Sequence, residues 1–121
     1  MRRDMDMIRA MLIQLGDATG QLSSNELLPQ YPDRDLVRYH AWLVIDAGLA
    51  DGYNTENTYG VSDIAIRRLT WSGQDFLAAA RDEDTWDEAR KRIRARVGDV
   101  AVQVLASLLS KLAAQKLGIP S

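Results

Sequence analysis

The residues able to do chemistry in this 121-residue chain are few. There is no cysteine and His40 is the single histidine, so thiol catalysis, thiolate metal sites and a disulfide framework are excluded. His40 lies four residues after Leu36 and four before Val44, on an apolar stripe. That setting points to a packed imidazole bonded to backbone, because one imidazole alone makes a poor metal site. No Ser/His/Asp arrangement is signalled around it. The densest carboxylate group is Asp82, Glu83, Asp84, Asp87 and Glu88. It lacks the spaced, glycine-containing ligand loop of an EF-hand. Asp84 reads as a helix cap, and Asp87 and Glu88 as i,i+4 partners of Lys91 and Arg92. With no glycine-rich phosphate loop and no paired-acid pattern, the expectation is a protein that is not an enzyme and holds neither cofactor nor metal.

Basic residues are the second chemistry on offer. Arg90, Lys91, Arg92, Arg94 and Arg96 could meet phosphates, but residues 81–96 carry six positive and five negative side chains. A solvated, internally neutralised helix face is the simpler reading. The net charge is −2 and the pI about 5.3, which argues against a chain that lives by coating nucleic acid.

Elements must position these groups, and their spacing can be read. Met5, Ile8, Leu12 and Leu15, with Met11 beside them, predict a helix over 3–16 that ends near Gly16 and Gly20. Ser23 and Glu26 have capping-box spacing and predict a short helix holding Leu27 and Leu28, stopped by Pro29 and Pro32. A third helix covers 33–47, with Asp33 and Asp35 at its positive end, Gly48 as the residue after its cap and Leu49 closing a Schellman ending. Residues 49–53 and 61–69 read as strands around a hairpin loop at 54–60. Thr70 caps a helix over 71–81, with Gly73 allowing close backbone approach. A charged helix follows to about 97, Gly98 interrupts, and Asp99 caps a last helix to about 117. The fold expected is mostly α with a small β-hairpin: a winged helix-turn-helix core over 1–81, then two C-terminal helices over 82–121, packed on the core or used for self-association.

Two resemblances accompany that order. Tyr39-His40-Ala41-Trp42-Leu43-Val44-Ile45-Asp46-Ala47-Gly48-Leu49 is similar to the ending of recognition helices in bacterial winged-helix repressors, with Ala41 and Val44 replacing two leucines. More of the chain resembles domain-of-unknown-function family number 2513, small proteins of bacteria, prophages and phages. The residues that carry this are Arg2-Arg3-Asp4-Met5-Asp6-Met7-Ile8-Arg9, Tyr39-His40, Ala47-Gly48-Leu49, Leu69-Thr70-Trp71-Ser72-Gly73-Gln74-Asp75-Phe76-Leu77, Arg81-Asp82 and Trp86. The resemblance implies a winged-helix-like core and a phage-linked bacterial setting. It implies no catalytic residues.

Two functions follow as expectations. In the first, the chain is a DNA-binding or regulatory winged helix. Arg34 and Arg38 early in the third helix, and Arg67 and Arg68 in the returning strand, are its contacts to double-stranded DNA. Asp33, Asp35 and Asp46 share that helix and oppose this. In the second, the chain is a protein-interaction module, a phage or prophage accessory or a defence-related factor, that meets a host or phage protein. Trp42 and Ile45 occupy positions that are polar in the repressor pattern, and the helix is apolar nearly all round, so a cover is expected there, with the last helix the obvious one. That last helix has one polar line, Asp99, Gln103, Ser107 and Ser110, on an otherwise mostly apolar surface. Trp42, Ile45, Val104, Leu108 and Leu112 are accordingly the candidate interface with a partner or with a second copy in a homodimer. Trp71, Phe76 and Trp86 are expected in structural roles, Trp71 closing the strand–helix corner. No run is long enough to span a membrane, the charged N-terminus is unlike a signal peptide, and the expected location is cytoplasmic.

Overall fold

The computed structural model describes residues 3–56, 62–96 and 102–118. In chain order the elements are α1 (Met5–Asp17), β1 (Leu22–Ser23), α2 (Arg34–Asp46), β2 (Ala50–Glu56), β3 (Ser62–Leu69), α3 (Trp71–Arg81), α4 (Glu83–Arg96) and α5 (Val102–Lys116). The fold is mostly helical, with one small antiparallel sheet in the order β1-β3-β2. The hairpin is present, although β2 runs on to Glu56, into the stretch expected as its loop; the rest of that loop lies outside the described residues, as does the expected cap Asp99.

Local chemistry explains most boundaries. Asp4 caps α1 by accepting from the Asp6 and Met7 amides, and Met7, Ile8, Met11, Leu12 and Leu15 bury one face. Asp33 caps α2 through the Leu36 amide. At its other end Gly48 takes φ +78°, the Gly48 amide donates to Ile45 and the Leu49 amide to Val44, which completes the Schellman ending.

The segment after β1 corrects the sequence reading. Residues 24–31 are turns, not a helix. The capping pattern does form for one turn: the Glu26 and Leu27 amides donate to the Ser23 carbonyl, and the Glu26 carboxylate accepts from the Ser23 amide at 3.0 Å. The sheet then wins. Leu22 and Ser23 pair with Ile66 and Ala65, the Ser24 amide donates to Ile64, and the Ile64 amide donates to the Ser24 hydroxyl. Leu28 at φ 45° and Pro29 prevent any helical continuation.

The corner between β3 and α3 is closed by backbone contacts. The Thr70 hydroxyl donates to Gly48 and accepts from the Gly73 amide, and the Thr70 amide donates to Leu49. A Cβ on Gly73 would lie 1.8 Å from the Leu49 carbonyl oxygen, so only glycine allows this approach. Further on, Asp82 rather than Asp84 caps α4: its carboxylate accepts from the Thr85 amide and hydroxyl, and its carbonyl from the Trp86 amide. Glu88 pairs with Arg92 at 3.1 Å as expected, whereas Asp87 and Lys91 do not come within ion-pair distance.

One hydrophobic cluster joins all five helices and the sheet, and Trp86, Ala89, Leu105, Leu109 and Leu112 bring α4 and α5 into it. The last helix packs on α3 and α4, not along α2 as the cover expected from the sequence. Helix α2 is held from inside instead, by α1, β2 and β3. Its inner face, Val37, His40, Ala41 and Val44, is buried there, while Trp42 on the other side stays exposed.

Candidate functional site

The four arginines singled out for DNA do not form one open basic face. Arg34 turns inward. Its guanidinium donates to four carbonyls, Ser24 at 2.7 Å, Leu27 at 2.6 Å, Leu28 at 2.9 Å and Tyr31 at 3.0 Å, and so holds the irregular turn ahead of α2. A planar fork with several fixed donors suits that cluster of orphan carbonyls. Arg38 is bonded to Asp35 at 2.7 Å. Arg67 and Arg68 are exposed on β3, both near Asp51 at 3.8 and 3.9 Å, and the Arg67 guanidinium lies 4.5 Å from the centre of the Tyr53 ring. The outward stripe of α2 is therefore Asp35, Arg38, Tyr39, Trp42 and Asp46, with Trp42 at 47 % exposure. His40 points the other way. It is fully buried, its Nδ1–H donates to the Leu36 carbonyl at 2.8 Å, and its Nε2 accepts from the Asp4 amide at 2.7 Å. The tautomer follows from those partners.

The candidate interface residues also separate. Trp42 and Val104 remain open to solvent, Val104 at 56 %, while Leu108 is half-buried. Ile45 is half-buried against the sheet at Gly52, where its Cδ1 would stand 2.7 Å from an added Cβ. Leu112 is a correction: it is buried in the core of its own chain and helps dock α5, so it is not surface for a second molecule.

Trp71 is the larger correction. It does not close the strand–helix corner, which Thr70 and Gly73 close; its side chain is 86 % exposed. The signal was in the spacing. Gly73, Phe76, Leu77 and Ala80 define the buried face of α3, and a residue two places before Gly73 falls on the opposite side.

Beside Trp71 runs a cleft of about 400 Å³ between α3 and α5. Leu49, Phe76 and Ala106 give it apolar walls, and Ser72, Asp75, Ser107 and Ser110 give it polar ones. Of the polar line read along the last helix, Ser107 and Ser110 are thus turned toward α3. Asp75 makes no hydrogen bond or ion pair among the described residues. Trp71 precedes it by four residues and shares its side of the helix. At the far end of the same seam, Lys116 bonds to Asp82 at 2.6 Å. The Lys116 hydrogen bond, then that of Thr85, hold the Asp82 carboxyl down at about 2, and Asp82 in turn raises the Lys116 ammonium. Among the described residues no group of three or more His, Cys, Asp or Glu side chains could hold a metal ion.

Architecture and site together define a small, mostly helical protein with a three-stranded antiparallel sheet and an open cleft between two helices. More particularly, the chain belongs to the family described as hypothetical protein, DUF2513, whose model matches residues 2–99. That match takes in α1 to α4 and ends before α5. The chain is also similar to an uncharacterized protein of Haemophilus influenzae, 28 % identical over 120 residues that span 97 % of this chain and 99 % of the relative. No solved structure matches it. Among the described residues no helix is long and apolar enough to cross a membrane.

Proposed function

We propose that this chain is a non-enzymatic binding protein that uses a winged-helix scaffold to engage another protein, in the bacterial cytoplasm, with a host or phage protein as partner. The order helix, strand, helix, hairpin and the position of β3 between β1 and β2 support the scaffold. The observation that carries the choice of partner is the outward stripe of α2. Where a DNA-reading helix would meet the major groove, this one presents Trp42 between Asp35 and Asp46, with Arg38 already paired and Arg34 turned inward. Phosphates there would face carboxylates. Exposed aromatics flanked by polar residues are the usual anchors of protein interfaces. Self-association through α5 has less surface than the sequence implies, since Leu105, Leu109 and Leu112 are buried within the chain.

One observation favours the DNA-binding or regulatory reading, the exposed Arg67 and Arg68 on the hairpin. The two readings separate in a polarisation titration with a random-sequence duplex at about 50 mM salt, where phosphate contacts are strongest. The expected outcome is no binding beyond that of an unrelated acidic protein. Binding that weakens steeply with salt and is abolished by Arg67→Ala with Arg68→Ala would overturn the proposal.

A further inference from the structure

We infer that the cleft between α3 and α5 receives an arginine side chain from a segment of the partner protein, with Trp71 stacking on the guanidinium and Asp75 accepting its N–H groups. The inference rests on the protein-binding reading and adds the chemistry of the partner.

Four features point to it. Asp75 lies in the cleft wall without a counter-ion among the described residues, while the cations nearest in sequence on the two helices are engaged or turned away: Arg81 binds Asp17, Lys116 binds Asp82, and Lys111 is exposed and forms no pair with Asp75. A carboxylate left unpaired in the wall of a cleft draws a cation. Trp71, one helical turn before Asp75 and almost wholly exposed, offers the π face that best attracts one. The combination favours arginine over lysine, because a planar guanidinium can stack on an indole and still present a fork of donors to a carboxylate.

The third feature is the rest of the lining. Ser72 on one wall and Ser107 and Ser110 on the other have no side-chain hydrogen bonds among the described residues. Hydroxyls both donate and accept, so they suit a peptide backbone, which presents both kinds of group. The fourth is the floor. Leu49, Phe76 and the half-buried Ala106 make up its apolar lining, along which the aliphatic stem of the arginine can lie.

The test is a titration of the isotope-labelled full chain with the blocked peptide acetyl-Leu-Arg-Leu-amide, followed by amide and indole N–H shifts. The expected result is a set of shifts confined to Trp71–Phe76 and Ala106–Ser110. The same peptide with citrulline in place of arginine, and the Asp75→Asn variant with the original peptide, should each bind about tenfold more weakly. Trp71→Ala should lose a comparable factor, and because positions 71 and 75 are exposed, both variants should keep the wild-type amide spectrum elsewhere. Equal binding of the citrulline peptide, or shifts centred on Trp42 and the outward stripe of α2, would overturn the arginine site and leave the protein-binding reading standing. A duplex DNA added in place of the peptide, and shifting the hairpin and α2 at low salt, would overturn both.

Discussion

Trp71 opens α3 and Trp86 lies in the first turn of α4, and their surroundings differ in kind. Trp86 is 2 % exposed in the seam of α1, α3 and α4. Its indole N–H donates to Asp6 at 3.1 Å, the Phe76 ring stands 6.4 Å away, and the Arg9 guanidinium lies 5.6 Å over the ring. Asp6 also pairs with Arg90, and Arg9 donates through Nε to the Ala80 carbonyl. Each of these polar groups has a partner. In the cleft of α3 and α5, the carboxylate of Asp75 and three serine hydroxyls have none among the described residues, and the indole of Trp71, one turn before Asp75, is exposed without one. The contrast separates the chemistry that holds the fold from the binding chemistry proposed for the cleft. Groups that hold a fold are satisfied inside it, whereas groups that wait for a second molecule are left open.

Truncating the two tryptophans is the strongest way to break this comparison. Trp86→Ala should cost about 3–5 kcal/mol in urea unfolding, from lost burial plus the cavity left behind. Trp71→Ala should stay within about 0.5 kcal/mol of wild type, as for surface substitutions that touch nothing. Comparable losses at both positions would mean that Trp71 also holds the fold.

The same contrast explains which features were legible in the sequence. Elements fixed by neighbours along the chain could be read: the α1 stripe, the Gly48–Leu49 ending of α2 and the Thr70 cap. What depended on distant groups could not. The Ser23–Glu26 pattern is a helix start taken alone, yet Ile66 far along the chain recruits the segment into the sheet. By sequence Asp84 is the expected cap, yet Thr85 together with Lys116, more than thirty residues on, engages Asp82 instead. Of the candidate sites, Trp42 and Val104 were named and stand exposed, but Arg34 and Leu112 proved to serve the fold. Side-chain type announced a cation or a hydrophobe in each case. Only the packing decides whether its partner is inside the molecule.

A second comparison, between arginines, has the next largest expected effect. Arg34 satisfies four carbonyls in a turn with no ladder of its own, and Arg67 is an exposed strand residue near Asp51. Arg34→Ala should lower unfolding stability by about 2–3 kcal/mol, because charge-assisted bonds are lost and half-buried carbonyls are left without donors. Arg34→Lys should recover only part of this, since an ammonium cannot reproduce the fork. Arg67→Ala should change stability by less than about 0.5 kcal/mol. If Arg34→Ala left stability intact, its guanidinium would be available to a ligand after all, and the arginines would no longer divide into one structural and one open set.

The smallest effect concerns the latch at the far end of the cleft, and its pH dependence has a definite sign. Asp82 is held at about 2, below its ordinary 3.8, chiefly by the Lys116 hydrogen bond. A depressed carboxyl contributes stability that is fully present above its unfolded value and is lost as pH falls, here between roughly 4 and 2. Lys116 is raised above 10.5 by the same bond, so its contribution is complete below that value and is lost only as pH climbs beyond it. The C-terminal turn of α5 should therefore stay docked across the neutral range and loosen as the solution is acidified toward pH 2. Hydrogen exchange of the α5 amides, corrected for the intrinsic pH dependence of exchange, reads this directly. Asp82→Asn keeps a side chain able to cap α4 but removes the charge, so it should flatten the acid loss of protection in α5 while sparing the amides around Trp86. An equal loss of protection in the variant would show that the acid effect arises elsewhere and that the cleft is closed at this end by packing alone, through Leu105, Leu109 and Leu112.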